Sequence, residues 1–166
     1  SNWGTAGNWD TGVLPSATLA GTDAIFNASS PNCTVNITTA VCRNLNFTGY
    51  TNTITMTNAI LVGSAAAANP GHTVTLSPTM GIAGTGAIST RANGTTTLTS
   101  NGKVWPNGFG INNSFIAANS IATITDNWTV GALVLGPGAN HAMTLNGAFT
   151  ITVNGSFSYQ SFGNVS

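Results

Sequence analysis

The chain has 166 residues, a net charge of zero and only 4% charged residues, namely Asp10, Asp23, Asp126, Arg43, Arg91 and Lys103. That balance excludes the basic stripe a nucleic-acid binder needs, and no apolar run approaches the ~20 residues required to cross a bilayer as a helix. Disorder is excluded too, because 42% of the residues are hydrophobic and regularly spaced, enough to bury a core.

Residues 1–26 differ in character from the rest of the chain. Trp3 and Trp9 are two of the four tryptophans, and Gly4, Gly7, Gly12 and Pro15 break the segment into turns. No basic stretch leads into an apolar one, so a secretory leader is not expected here. A stack of strands exposes its first layer and its backbone edge, and bulky residues on irregular chain can close it. Trp3, Trp9, Leu14, Ile25 and Phe26 are the expected plug, with Asp10 and Asp23 accepting backbone N–H bonds in turns. A tryptophan-lined sugar platform is the alternative use of the same residues.

Cys33 and Cys42 lie nine positions apart in CTVNITTAVC. With two cysteines and no paired histidines nearby, zinc is not expected. Either the two form a disulfide, or they are small buried residues on adjacent strands of one coil.

From Cys33 onward a repeat takes over. The stretch from Asn52 to Leu76 reads as strand, strand, turn and the first strand again. Taking Ile37, Met56, Leu76, Leu98, Ile124 and Leu145 as equivalent gives steps of 19, 20, 22, 26 and 21 residues. A second apolar strand follows each leading one, as at Ile60–Val62 and Val130–Leu135. Periods of this length, built from strands without helical periodicity, predict a β-coil whose layers stack at ~4.8 Å. The expected fold is all-β, a right-handed parallel β-helix of about six rungs. Residues 1–26 would be its N-terminal cap, 27–155 its coils and 156–166 a C-terminal cap or docking segment.

The longest insertion, WPNGFGINNSF, carries Trp105, Phe109 and Phe115. These aromatics are candidates for contact with a partner or a sugar, or for folding back on the coil or sealing a trimer seam. Thr53, Thr55, Thr73, Thr75, Thr95 and Thr97 alternate along strands, as an ice-ordering array would, although threonine is also a good outward strand residue. Asn-x-Ser/Thr triplets begin at Asn27, Asn32, Asn36, Asn46, Asn93, Asn112, Asn127, Asn154 and Asn164, a mild excess over what composition alone produces; chance is the favoured reading, and glycans the alternative in a glycosylating secretory system.

The segments GNWDTGVLP (Gly7–Pro15) and TDAIF (Thr22–Phe26) resemble the entry segment of many bacterial and phage β-helix proteins. LNFTGYTNTITM (Leu45–Met56) and TTTLTSNGKVW (Thr95–Trp105) are similar to rungs of right-handed parallel β-helices. Such proteins include phage tail fibres, spikes and head decorations, and secreted or autotransported surface proteins. The resemblance implies a structural or adhesive protein of a virion surface, with a microbial surface protein or adhesin as the alternative. Some relatives of that fold act on polysaccharides, but glycoside cleavage needs two facing carboxylates and this chain has three acids in all. His72 and His141 fall at the same place in their rungs, too far apart to share a metal. No enzyme activity and no cofactor or metal are expected. The expected partners are other virion proteins, further copies of the chain (a trimer above all) or a cell-surface glycan, without nucleic acid or membrane insertion.

Overall fold

Side chains that alternate inward and outward, with Gly or Asn at the corners, bend this chain into a coil of short parallel strands. The computed structural model describes residues 1–15, 22–38, 40–63, 71–91, 95–112, 120–136 and 142–160. The first turn comprises β1 (Ala24–Ile25), β2 (Cys33–Val35) and β3 (Ala40–Cys42). The second comprises β4 (Leu45–Asn46), β5 (Thr53–Met56) and β6 (Ile60–Val62), and the third β7 (His72–Thr75), β8 (Gly81–Gly84) and β9 (Ile88–Arg91). Then come β10 (Thr95–Thr99) with β11 (Val104–Asn112), β12 (Ser120–Ile124) with β13 (Trp128–Gly136), and finally β14 (Met143–Asn146), β15 (Ile151–Val153) and β16 (Phe157–Tyr159).

These strands stack into parallel sheets and form a β-solenoid of about five turns, against the six rungs expected. The first sheet runs β1-β4-β7-β10-β12-β14, the second β3-β6-β9-β11-β13 and on to β15, with β16 also on β13, and the third β2-β5-β8. A strand buried on one face and open on the other reads as alternation. Buried Ala24, Leu45, Val74, Leu98 and Ile124 form one inward column of the first sheet.

This register corrects the repeat read from the sequence. Met56 stacks between Val35 and Gly84 in the third sheet, whereas Leu98 and Ile124 stack in the first. Met56 pairs with Val35, Leu98 with Val74 and Leu145 with Ala122, so three of the assumed equivalences slip by two residues. A slip of two keeps the same face inward, so apolar alternation cannot detect it. The stretch from Asn52 to Leu76 is likewise not one rung, because β5 and β7 belong to different sheets.

In the later turns the third sheet has no separate strand. Instead β11 and β13 each run nine residues through that corner, with a register shift between Trp105 and Gly108. The crossing is tight. A Cβ on Gly131 would stand 1.9 Å from the Pro106 carbonyl oxygen, so only glycine lets the two backbones approach.

The N-terminal segment closes the first turn. Asn2 bridges in parallel to Thr34, Trp3 N–H donates to the Thr34 carbonyl at 2.8 Å, and Thr34 N–H donates to the Ser1 carbonyl at 2.8 Å. This covers the free edge of the third sheet. Trp3 is fully buried and packs edge-on against Trp9 at 5.0 Å, and Phe26 stacks on Phe47 at 4.9 Å and leans on Tyr50. Two members of the expected plug are elsewhere. Leu14 is 37% and Ile25 58% exposed, because β1 alternates and Ala24 takes the inward position. β1 is already a strand of the coil inside the segment read as cap, and β16 pairs with β13 inside the segment read as C-terminal cap.

Asparagine side chains stitch the corners from rung to rung. Oδ1 of Asn36, Asn32, Asn44 and Asn127 accepts from the N–H of Gly4, Thr53, Thr73 and Thr150 at 2.8 to 3.0 Å. Each takes the place of a backbone acceptor where the ladder is interrupted, which explains the Asn-rich composition without invoking glycans.

Candidate functional site: the outer face of the first sheet

The inward column of Val74, Leu98 and Ile124 fixes what the first sheet shows to solvent. With these three buried, the flanking residues must face out, and at each of these strands both flanks are threonine: Thr73 and Thr75, Thr97 and Thr99, Thr123 and Thr125. Parallel register aligns them. Thr73 lies beside Thr97 and Thr97 beside Thr123, while Thr75 lies beside Thr99. The hydroxyls of Thr99 and Thr125 are 2.8 Å apart and share a hydrogen bond, which continues the second column. Thr95 and Thr144 extend the face around the exposed Ile121, Asn146 follows Thr123, and Asn46 and then the exposed Ile25 continue the second column beyond Thr75.

At the N-terminal margin the first column begins with Asp23. Its carboxylate pairs with the Arg43 guanidinium at 2.9 Å and accepts from Asn44 Nδ2 at 2.9 Å. No charged side chain stands among the threonine columns themselves, within the described residues. The face is therefore an uncharged lattice of hydroxyl and methyl groups, held by a backbone ladder rather than by its own side-chain contacts.

Sequence reading found this array only in part. Thr73, Thr75, Thr95 and Thr97 are on it, but Thr53 and Thr55 are on β5 in the third sheet. Thr99, Thr123, Thr125 and Thr144 were missed. The face is written as T-V-T, T-L-T and T-I-T at 73–75, 97–99 and 123–125, but T-I-T at 53–55 has the same pattern on the third sheet, so the triplets alone do not give the register.

Of the alternatives open for the aromatic stretch, folding back on the coil is the one Trp105 and Phe109 take. Trp105 is 0% and Phe109 2% exposed, on the two halves of β11, and Trp105 Nε1 donates to the Gly108 carbonyl at 3.1 Å. Phe109 packs on Trp128 at 4.8 Å. Phe115 lies outside the described residues. The insertion became core because its alternating large residues point inward at the bent corner. Cys33 and Cys42 are both free and buried, on β2 and β3. Burial pushes both thiols' pKa up, most strongly at Cys42, which leaves them protonated and inert at neutral pH.

His72 is also buried, beside Thr96 in the interior of the first sheet, and among the described residues neither ring nitrogen makes a well-formed hydrogen bond, although the Arg43 backbone lies close enough to oppose part of the pKa shift. It is the first residue of β7, and its counterpart His141 lies outside the described residues. Desolvation lowers the His72 pKa, and the Arg43 charge acts in the same direction.

Next to the cap, a cleft of about 400 Å³ is lined by Trp9, Asp10, Asp23 and Asn27 among others. Its size suits a small ligand. Asp23, however, is committed to Arg43 and Asn44. Asp126 is likewise committed, accepting from Ser100 N–H at 2.8 Å, Ser100 Oγ at 3.0 Å and Asn101 N–H at 2.6 Å. Among the described residues no cluster of His, Cys, Asp and Glu is arranged to hold a metal ion. Comparison with known proteins gives no match, whether to a family model, a curated protein or a solved structure.

Proposed function

We propose that this chain is a non-catalytic structural and adhesive module displayed outside the cell, on the surface of a phage particle as a head decoration or a segment of tail fibre or spike. The observation that carries the reading is the rod itself: stacked parallel sheets presenting a flat, uncharged Thr/Asn face. Such a surface keeps its shape without relying on charge, and so is little affected by salt. Two of the three carboxylates, Asp23 and Asp126, hold turns and strand ends together, a structural use of the few acids present. Further copies of the chain or other virion proteins are the proposed partners, and a cell-surface glycan is a target the hydroxyl face could contact.

The resemblance of the entry segment to β-helix surface proteins supports the same reading, with a filament or adhesin of a microbial surface as the second setting. Antibody labelling of this chain on native source material, viewed by electron microscopy, tests the choice. Label on phage heads or tails is the expected result. Label confined to cell envelopes or filaments overturns the virion assignment in favour of the second setting.

A further inference from the structure

We infer that the threonine face of the first sheet is a binding surface for ice, or for water held in an ice-like layer. This goes beyond display on a surface, and it stands whether the rod sits on a virion or on a cell.

The face has three properties that such a ligand requires together. It is periodic in two directions, because parallel strands stack ~4.8 Å apart and outward residues repeat every ~6.6 Å along each strand, one short and one longer repeat like those of oxygens on a face of the ice lattice. It is uncharged across Thr73, Thr75, Thr97, Thr99, Thr123 and Thr125. An ion would draw water into its own radial shell and break the tetrahedral network. Every position also carries a hydroxyl and a methyl; the Thr125 hydroxyl donates to the Leu98 carbonyl at 3.1 Å and still has an acceptor lone pair, so water is anchored at regular points and caged between them.

Rigidity makes the match effective. Fixing each bridging water costs entropy, and a lattice held by the backbone ladder spreads that ordering over many sites. Thr99 and Thr125 already share a 2.8 Å bond, which locks neighbouring rungs of one column. Threonine's general liking for strands does not explain the pattern, because the other sheets lack it. The outward column of the second sheet runs Val41, Leu61, Ser89, Gly110, Val134 and Ser158, and that of the third runs Thr34, Thr55 and Ala83.

The test uses the purified chain in two assays: the gap between melting and freezing temperatures of a single ice crystal, and uptake of fluorescently labelled protein into growing ice. The wild type should open a gap that widens with concentration and should enter the ice. Thr97→Lys and Thr75→Lys, on different rungs of the array, should lose both effects, while Thr55→Lys on the third sheet should keep them. Circular dichroism at the assay temperature confirms that each variant is folded. A folded wild type that neither opens a gap nor enters ice overturns the inference, as does full activity in both array variants. Sedimentation separates the other occupant: a wild-type dimer that Thr97→Lys dissociates, with no ice activity, makes the face a contact between copies and also overturns it.

Discussion

His72 shows how one side chain ties the stability of this coil to pH. Buried and with its pKa lowered by desolvation, it stays neutral in the folded state where the unfolded chain would take up a proton near the ordinary histidine value of ~6.5. Above that value both states are neutral and His72 imposes no proton-linked penalty. As pH falls below it, only the unfolded state gains the proton, so stability falls, by at most about 1.4 kcal/mol per pH unit for one group. Urea unfolding at pH 5 and pH 7.5 should give a lower midpoint at pH 5 for the wild type. His72→Gln should narrow the difference. An unchanged difference would assign the effect to other groups.

At the scale of elements, the distinctive feature is the bent strand pair β11 and β13, which replaces two separate strands per turn. It depends on backbone contact at the corner, where Gly131 meets the Pro106 carbonyl. Gly131→Ala places a methyl where no side chain can yield, and the backbones must separate. The expected cost is about 1–3 kcal/mol, in the range of overpacking, read as a lower urea midpoint with an unchanged slope. By contrast, Gly108→Ala should be mild, since its nearest neighbour is the Ala87 methyl at 3.3 Å. Equal losses in the two variants would mean that the corner is not the constraint.

The whole molecule is asymmetric along its axis. The N-terminal end is closed by Trp3, Trp9 and Phe26 and by the added backbone bridge at Asn2. Toward the other end the described residues grow more open: Met143, Leu145, Ile151 and Val153 are only partly buried, and Phe157 and Tyr159 are 59% and 63% exposed. In a stack where each layer contacts only its neighbours, an end layer lacks half of its support, so the plug matters more than its size suggests. Trp3→Ala should cost about 3–5 kcal/mol, the range for emptying a large aromatic site. Exchange of the β2 and β5 amides with solvent should rise before that of β10 and β12. Uniform acceleration along the coil would show instead that the solenoid unfolds as one unit.

Much of this was legible from the residues. Alternation, the absence of helical periodicity, Gly and Asn at recurring corners and a repeat of 19 to 26 residues determined an all-β coil, because inward and outward positions must satisfy water and core at every second residue. The tryptophans of the first segment marked the capped end for the same reason, since rings of that size in so polar a segment need burial. Three things were left to the tertiary structure. Register was one, since a slip of two preserves the alternation and left Ile124 and Leu145 looking equivalent. The fate of Trp105 and Phe109 was another, because a Gly- and Asn-rich stretch reads as a loop until the neighbouring rung makes it a bent strand. The last was the threonine face: Thr55 and Thr97 look alike along the chain, and only the stacking of rungs decides that one lies on the third sheet and the other inside a flat array on the first.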